Sequence, residues 1–153
     1  MKYRDKKFRF TVDIPDGWVK QGAIFGFFLT GGRAAFAHKS RGATVNVSVG
    51  ELDRPEWQDQ QRRAEGVTDF LMRAPHQIGQ VRIRTDHEVA EEPNTVWAEF
   101  IETASIAGGA TSEHKAGFIA AVHGGSEYVI QWSAQPEFEN ETQLIIESFK
   151  FDR

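Results

Sequence analysis

Apolar and polar residues alternate along much of this chain with a period of two. Over residues 7–14, Phe8, Phe10, Val12 and Ile14 alternate with Arg9, Thr11 and Asp13. That spacing predicts a strand with one wet face. Pro15-Asp16-Gly17 has the chemistry of a turn and ends it, and Trp18 is expected to fold back over the core edge. Residues 23–39 predict a hairpin around Gly31-Gly32, with Phe27 opposite Phe36 and Phe25 opposite His38. Phe25, Phe27, Leu29, Ala34 and Phe36 then share a core face. In residues 43–50, Ala43, Val45, Val47 and Val49 face in, while Thr44, Asn46 and Ser48 face out.

The strongest pattern lies in residues 113–134, two long strands joined by Gly124-Gly125. Two glycines supply the positive φ angles that a two-residue hairpin turn needs. That turn places His123 opposite Ser126, Ala121 opposite Tyr128, Ile119 opposite Ile130 and Gly117 opposite Trp132. One face carries Ile119, Ala121, Tyr128, Ile130 and Trp132. The other carries Ala116, Phe118, Ala120, Val122 and Val129. Both faces are apolar, so both are expected to be covered, and the hairpin belongs in the middle of a sheet. Small residues stand opposite the large rings, as cross-strand packing prefers.

Two segments switch to helical spacing. Asp53, Pro55 and Glu56 form a start signal, and Trp57, Gln61, Ala64, Val67, Phe70, Leu71 and Ala74 recur at helical intervals. This long helix is expected to end near Arg73, before Ala74-Pro75. Two further strands are predicted over 79–90 and 94–104, with Val96, Ala98 and Phe100 on one face and Trp97 and Ile101 on the reverse. Residues 105–113 are a small-residue loop, expected to be the most mobile segment. Pro136 opens a last helix with Glu137 and Glu139 in its first turn. Phe138, Leu144 and Ile145 are expected to face the sheet. The predicted fold class is α+β: a single-domain α/β/α sandwich over 1–153. It has a central antiparallel sheet built from hairpins, one long helix after the fourth strand and one C-terminal helix.

Composition narrows function mainly by exclusion. The 153 residues contain no cysteine, which removes disulfides, thiolate metal sites and a cysteine nucleophile. No segment is long and apolar enough for a transmembrane helix, and the first residues lack an apolar signal core. The expectation is a cytoplasmic chain, or a periplasmic or lipoprotein-derived one whose signal has been removed. Net charge is −4, but residues 1–41 carry nine Lys/Arg against three Asp/Glu, and the remainder nine against nineteen. The basic entry segment reads either as solvated strand edges and a charged terminus or as a weak surface contact with an acidic partner or a membrane surface. Nucleic acid is not expected, because no basic stripe is interleaved with aromatics.

Catalytic and metal signatures are missing. The five histidines, His38, His76, His87, His114 and His123, do not fall at zinc-site spacing. No nucleophile elbow, P-loop or dinucleotide fingerprint occurs. No cofactor is expected. The residues singled out for binding are Trp57 and Phe70, on the long helix, and His123 and Tyr128, at the hairpin tip.

The two ends of the chain carry a resemblance. Phe10-Thr11-Val12-Asp13-Ile14-Pro15-Asp16-Gly17-Trp18 resembles the opening F-x-V-x-I-P-x-G-W of PsbP-like domains. Ile145-Ile146-Glu147-Ser148-Phe149-Lys150-Phe151 is similar to their closing helix and S-F tail. The resemblance implies an α/β/α sandwich on an antiparallel sheet. The family includes an extrinsic photosystem subunit, a Ran-binding import factor, bacterial lipoproteins and Eag-type secretion chaperones. It implies a bacterial, non-enzymatic domain that binds or assembles a protein partner. The alternative is a small-molecule or lipid binder with a pocket between sheet and long helix.

Overall fold

The computed structural model describes residues 1–21, 33–52, 59–73, 78–86, 89, 92, 95–105 and 111–152. Its strands are β1 (Lys2–Asp5), β2 (Phe10–Asp13), β3 (Trp18–Gln21), β4 (Arg33–His38), β5 (Ala43–Glu51), β6 (Ile78–Arg84), β7 (Val96–Ser105), β8 (Thr111–His123), β9 (Ser126–Ala134) and β10 (Lys150–Phe151). The helices are α1 (Gln60–Met72) and α2 (Glu139–Glu147), the second entered through a single 3-10 turn at Pro136–Phe138.

A seven-stranded antiparallel sheet runs β3-β4-β5-β9-β8-β7-β6, and a separate three-stranded sheet runs β1-β2-β10. The β8–β9 hairpin sits inside the large sheet with the register the Gly124-Gly125 turn predicts, including Ala121 opposite Tyr128 and Gly117 opposite Trp132. Both glycines have positive φ. The alternation of its side chains feeds two cores. Ile119, Tyr128, Ile130 and Trp132 join Phe10, Val12, Phe36, Ile145 and Phe149 beneath α2 and the small sheet. Ala116, Phe118, Ala120 and Val129 join Val67, Leu71, Val96, Ala98 and Phe100 beneath α1. The architecture is therefore helix, sheet, then helix with small sheet. A fully buried phenylalanine such as Phe36 anchors it, and Phe36→Ala carries a cost of about 3–5 kcal/mol.

Several expectations are corrected. The charged residues Lys2–Asp5 form a strand, and the period-two run after them lies in the small sheet, between β1 and β10. With β1 and β3 counted, α1 follows the fifth strand rather than the fourth. On β4, Trp18 stands opposite His38 and Lys20 opposite Phe36, the places the sequence reading gave to Phe25 and Phe27. Phe25 and Phe27 lie outside the described residues. Asn46 and Ser48, expected to face water, are buried, because the reverse of β5 is covered too.

Both helices also differ in detail. Helix α1 begins at Gln60, where the Asp59 side chain accepts from the Arg62 amide at 3.0 Å. Asp53, Pro55, Glu56 and Trp57 lie outside the described residues. In α2 the stripe against the sheet is Thr142, Ile145 and Ile146, and Leu144 is 62% exposed. Ser148 ties this end down. Its hydroxyl donates to the Ile145 carbonyl at 2.7 Å and accepts from the Asp13 amide at 2.8 Å.

Candidate functional site

Tight turns and ring contacts bring four chain segments together at the closed end of the β8–β9 hairpin. His123 and Tyr128 arrive from the hairpin itself. Phe151 arrives on β10 and stacks face to face with the His123 ring at 4.5 Å, while Tyr128 meets it edge-on at 4.6 Å. Glu92 reaches in from the isolated bridge with Val89 and pairs with His123 Nδ1. The fourth segment is the loop between β1 and β2, which carries Lys7, Phe8 and Arg9.

That loop is held at four points. The Asp5 carboxylate accepts from the Lys7 and Phe8 amides at 3.0 and 2.9 Å. The Tyr128 hydroxyl donates to the Phe8 carbonyl at 2.8 Å, and the Asp152 amide donates to the Arg9 carbonyl at 2.7 Å. Between loop and hairpin lies an open cleft of about 120 Å³, lined by Lys7, Phe8, Arg9, Val49, His123, Gly124, Ser126 and Tyr128. Burial pushes the Tyr128 phenol above its ordinary pKa, against an opposing pull from Arg9, so it stays a neutral donor at physiological pH.

A second open cleft, of about 290 Å³, runs between α2 and strands β6 to β9 of the large sheet. Arg84, Glu99 and Lys115 line its sheet side, with Trp132 at the floor and Glu139 and Asn140 on the helix side. Trp132 meets Trp97 edge-on at 5.4 Å, and the Trp97 indole donates to Glu99 at 3.0 Å.

Of the four residues chosen from the sequence, His123 and Tyr128 share one cleft. Phe70 is elsewhere, on α1 over the opposite face of the sheet. It is 43% exposed and packs edge-on to Phe118 at 6.1 Å. Trp57 lies outside the described residues. Sequence reasoning missed Glu92, Phe151, Lys7 and Arg9 as neighbours of His123, since each lies far from it in the chain. It also missed Arg63, which is 1% exposed beneath α1. Burial lowers the Arg63 guanidinium pKa, while the Glu127 and Asp59 carboxylates oppose that shift. A signal was available, since Arg63 falls four and eight positions before Val67 and Leu71 on the buried stripe.

Among the described residues, no group of three His, Asp or Glu is arranged to hold a metal. No described helix is long and apolar enough to cross a membrane.

No family model matches the sequence, and no curated protein matches it either. Solved structures do. A Bacteroides thetaiotaomicron VPI-5482 protein superimposes with a TM-score of 0.62 at 10% identity, over 99% of this chain. The chain spans about half of that protein, 48% of its length. The solution structure of the cyanobacterial PsbP from Synechocystis sp. PCC 6803 gives a TM-score of 0.56 at 14% identity, over 99% of this chain and 91% of that one. The Saccharomyces cerevisiae Ran-binding protein Mog1p gives 0.58 at 10% identity, over 99% and 94%. The helix, sheet, helix-and-small-sheet arrangement is thus the fold of cyanobacterial PsbP and Mog1p, as the two end motifs of the sequence implied.

Proposed function

We propose that this chain is a non-enzymatic domain that binds or assembles a protein partner through its surface clefts. The observation that carries this reading is how the rings are used. Trp97 packs on Trp132 and Phe10 on Phe149, all four buried, so these aromatics fill the space between layers. The two clefts described above open to solvent and are lined largely by charged and polar side chains. A small-molecule site is normally concave, mostly apolar and at least about 300 Å³. Open, charged clefts on a rigid sheet suit side chains of a macromolecule better. The fold-mate Mog1p is named as a Ran-binding protein, which fits this class of role.

Native mass spectrometry of the protein, purified gently from its own source, tests the reading. A polypeptide held at fixed stoichiometry is the expected result. A reproducible adduct of small mass in its place overturns it in favour of a ligand pocket.

A further inference from the structure

We infer that the cleft at the hairpin tip seats a carboxylate side chain from an acidic segment of the partner, which deepens the protein-binding reading above and rests on it. The charge of the cleft is one-sided. Lys7 and Arg9 line it, and no Asp or Glu does. Of the carboxylates around it, Asp5 is engaged by the Lys7 and Phe8 amides, Glu92 by His123 and Asp152 by Arg4, while Glu51 stands opposite Ser126 without lining the cleft. No ion pair of Lys7 or Arg9 occurs among the described residues. The Ser126 hydroxyl on the same wall adds a hydrogen-bond donor. Guanidinium, ammonium and hydroxyl groups around one opening make a carboxylate seat.

Arg9 is also held there against its backbone preference. Its φ is +58°, a left-handed conformation that glycine takes freely and a long side chain rarely adopts. The bonds from Asp152 and Tyr128 fix the loop in that shape. Keeping arginine where glycine would suit the backbone points to a use for its side chain. The volume, about 120 Å³, suits the end of one side chain and is too small for a nucleotide or a lipid.

The test is an amide NMR titration of the full chain with a capped hexaglutamate peptide, with hexalysine and inorganic phosphate as comparison probes at fixed ionic strength. The expected result is a set of shifts centred on Lys7, Phe8, Arg9, Gly124 and Ser126 with hexaglutamate alone. Arg9→Gly and, separately, Lys7→Ala weaken it by about fivefold each, the effect of losing one partly exposed charge contact. Arg9→Gly melts no lower than the parent chain, which separates lost binding from lost folding. Shifts centred elsewhere, or unchanged affinity in both variants, overturn the inference. So does phosphate moving the same amides as strongly as the peptide, which marks a general anion site. If a co-purified partner stays bound to both variants, the cleft assignment fails while the protein-binding reading stands.

Discussion

Gly117 stands directly opposite Trp132 across β8 and β9, and a Cβ on it would overlap both the indole and the carbonyl oxygen of Ala98. The missing side chain lets Trp132 lie flat across β8 and reach Trp97. Backbone cannot yield as a flexible side chain can. Gly117→Ala is expected to destabilise the chain by about 1–3 kcal/mol. Urea denaturation followed by tryptophan fluorescence measures this, and an unchanged midpoint would show that the hairpin relaxes freely.

Arg63 and Glu127 are both buried, and they attract one another beneath α1. Removing one charge takes an attractive partner from the other in a poorly solvated place. Arg63→Met alone is expected to cost about 3 kcal/mol, and the Arg63→Met, Glu127→Gln pair less than the sum of the single changes. Equilibrium unfolding of the four chains gives the coupling directly, and strict additivity would mean that each group is held by other partners.

Asn46 is paired across strands with Gln131, and the side-chain carbonyl oxygens of both are buried and have no hydrogen-bond partner among the described residues. An unmade hydrogen bond costs more than an apolar replacement of similar shape. Asn46→Val, a branched residue suited to a strand, is expected to stabilise the chain by about 1 kcal/mol. A lower denaturation midpoint in that variant would reveal a role for the amide beyond its own burial.

Tyr128 gives the chain an alkaline limit. Its folded pKa is raised above the ordinary 10.0, so the unfolded chain loses this proton before the folded chain does. The stabilisation is complete below the unfolded value and disappears as pH rises through the folded one. Above about pH 10 the parent chain should therefore lose stability more steeply than Tyr128→Phe. Parallel slopes in denaturation midpoints between the two chains would rule this out.

Legibility differed between elements for physical reasons. The β8–β9 register was readable because two turn glycines fix it and every residue then follows by alternation. The two-sided burial of that hairpin was readable because both faces are apolar. The burial of Asn46 and Ser48 was not, since alternation reports which residues share a face and says nothing about what covers it. Strand β1 was hidden by charge: Lys2 and Arg4 point outward from a sheet whose partner strands lie at both ends of the sequence. At the hairpin tip, His123 and Tyr128 were legible as neighbours of a turn. The partners that make the place a cleft come from residues 7–9, 92 and 151, and no local pattern announces contacts of that range.

Strand β10 pairs Lys150 with Thr11 and Phe151 with Phe10, and Arg4 bonds Asp152 at 2.9 Å across a separation of 148 residues. Such a closure has consequences in time. The β8–β9 hairpin needs only a two-residue loop and can form within about 1–10 µs. The β2–β10 pairing requires the two ends of the folded segment to meet, so it is expected after the rate-limiting step of folding. Substitutions such as Arg4→Ala should then speed unfolding and leave the folding rate nearly unchanged. The basic loop rests on this sheet and on Phe151, so its cleft comes into existence only once the whole chain has closed. A partner that recognises it would discriminate finished molecules from folding intermediates.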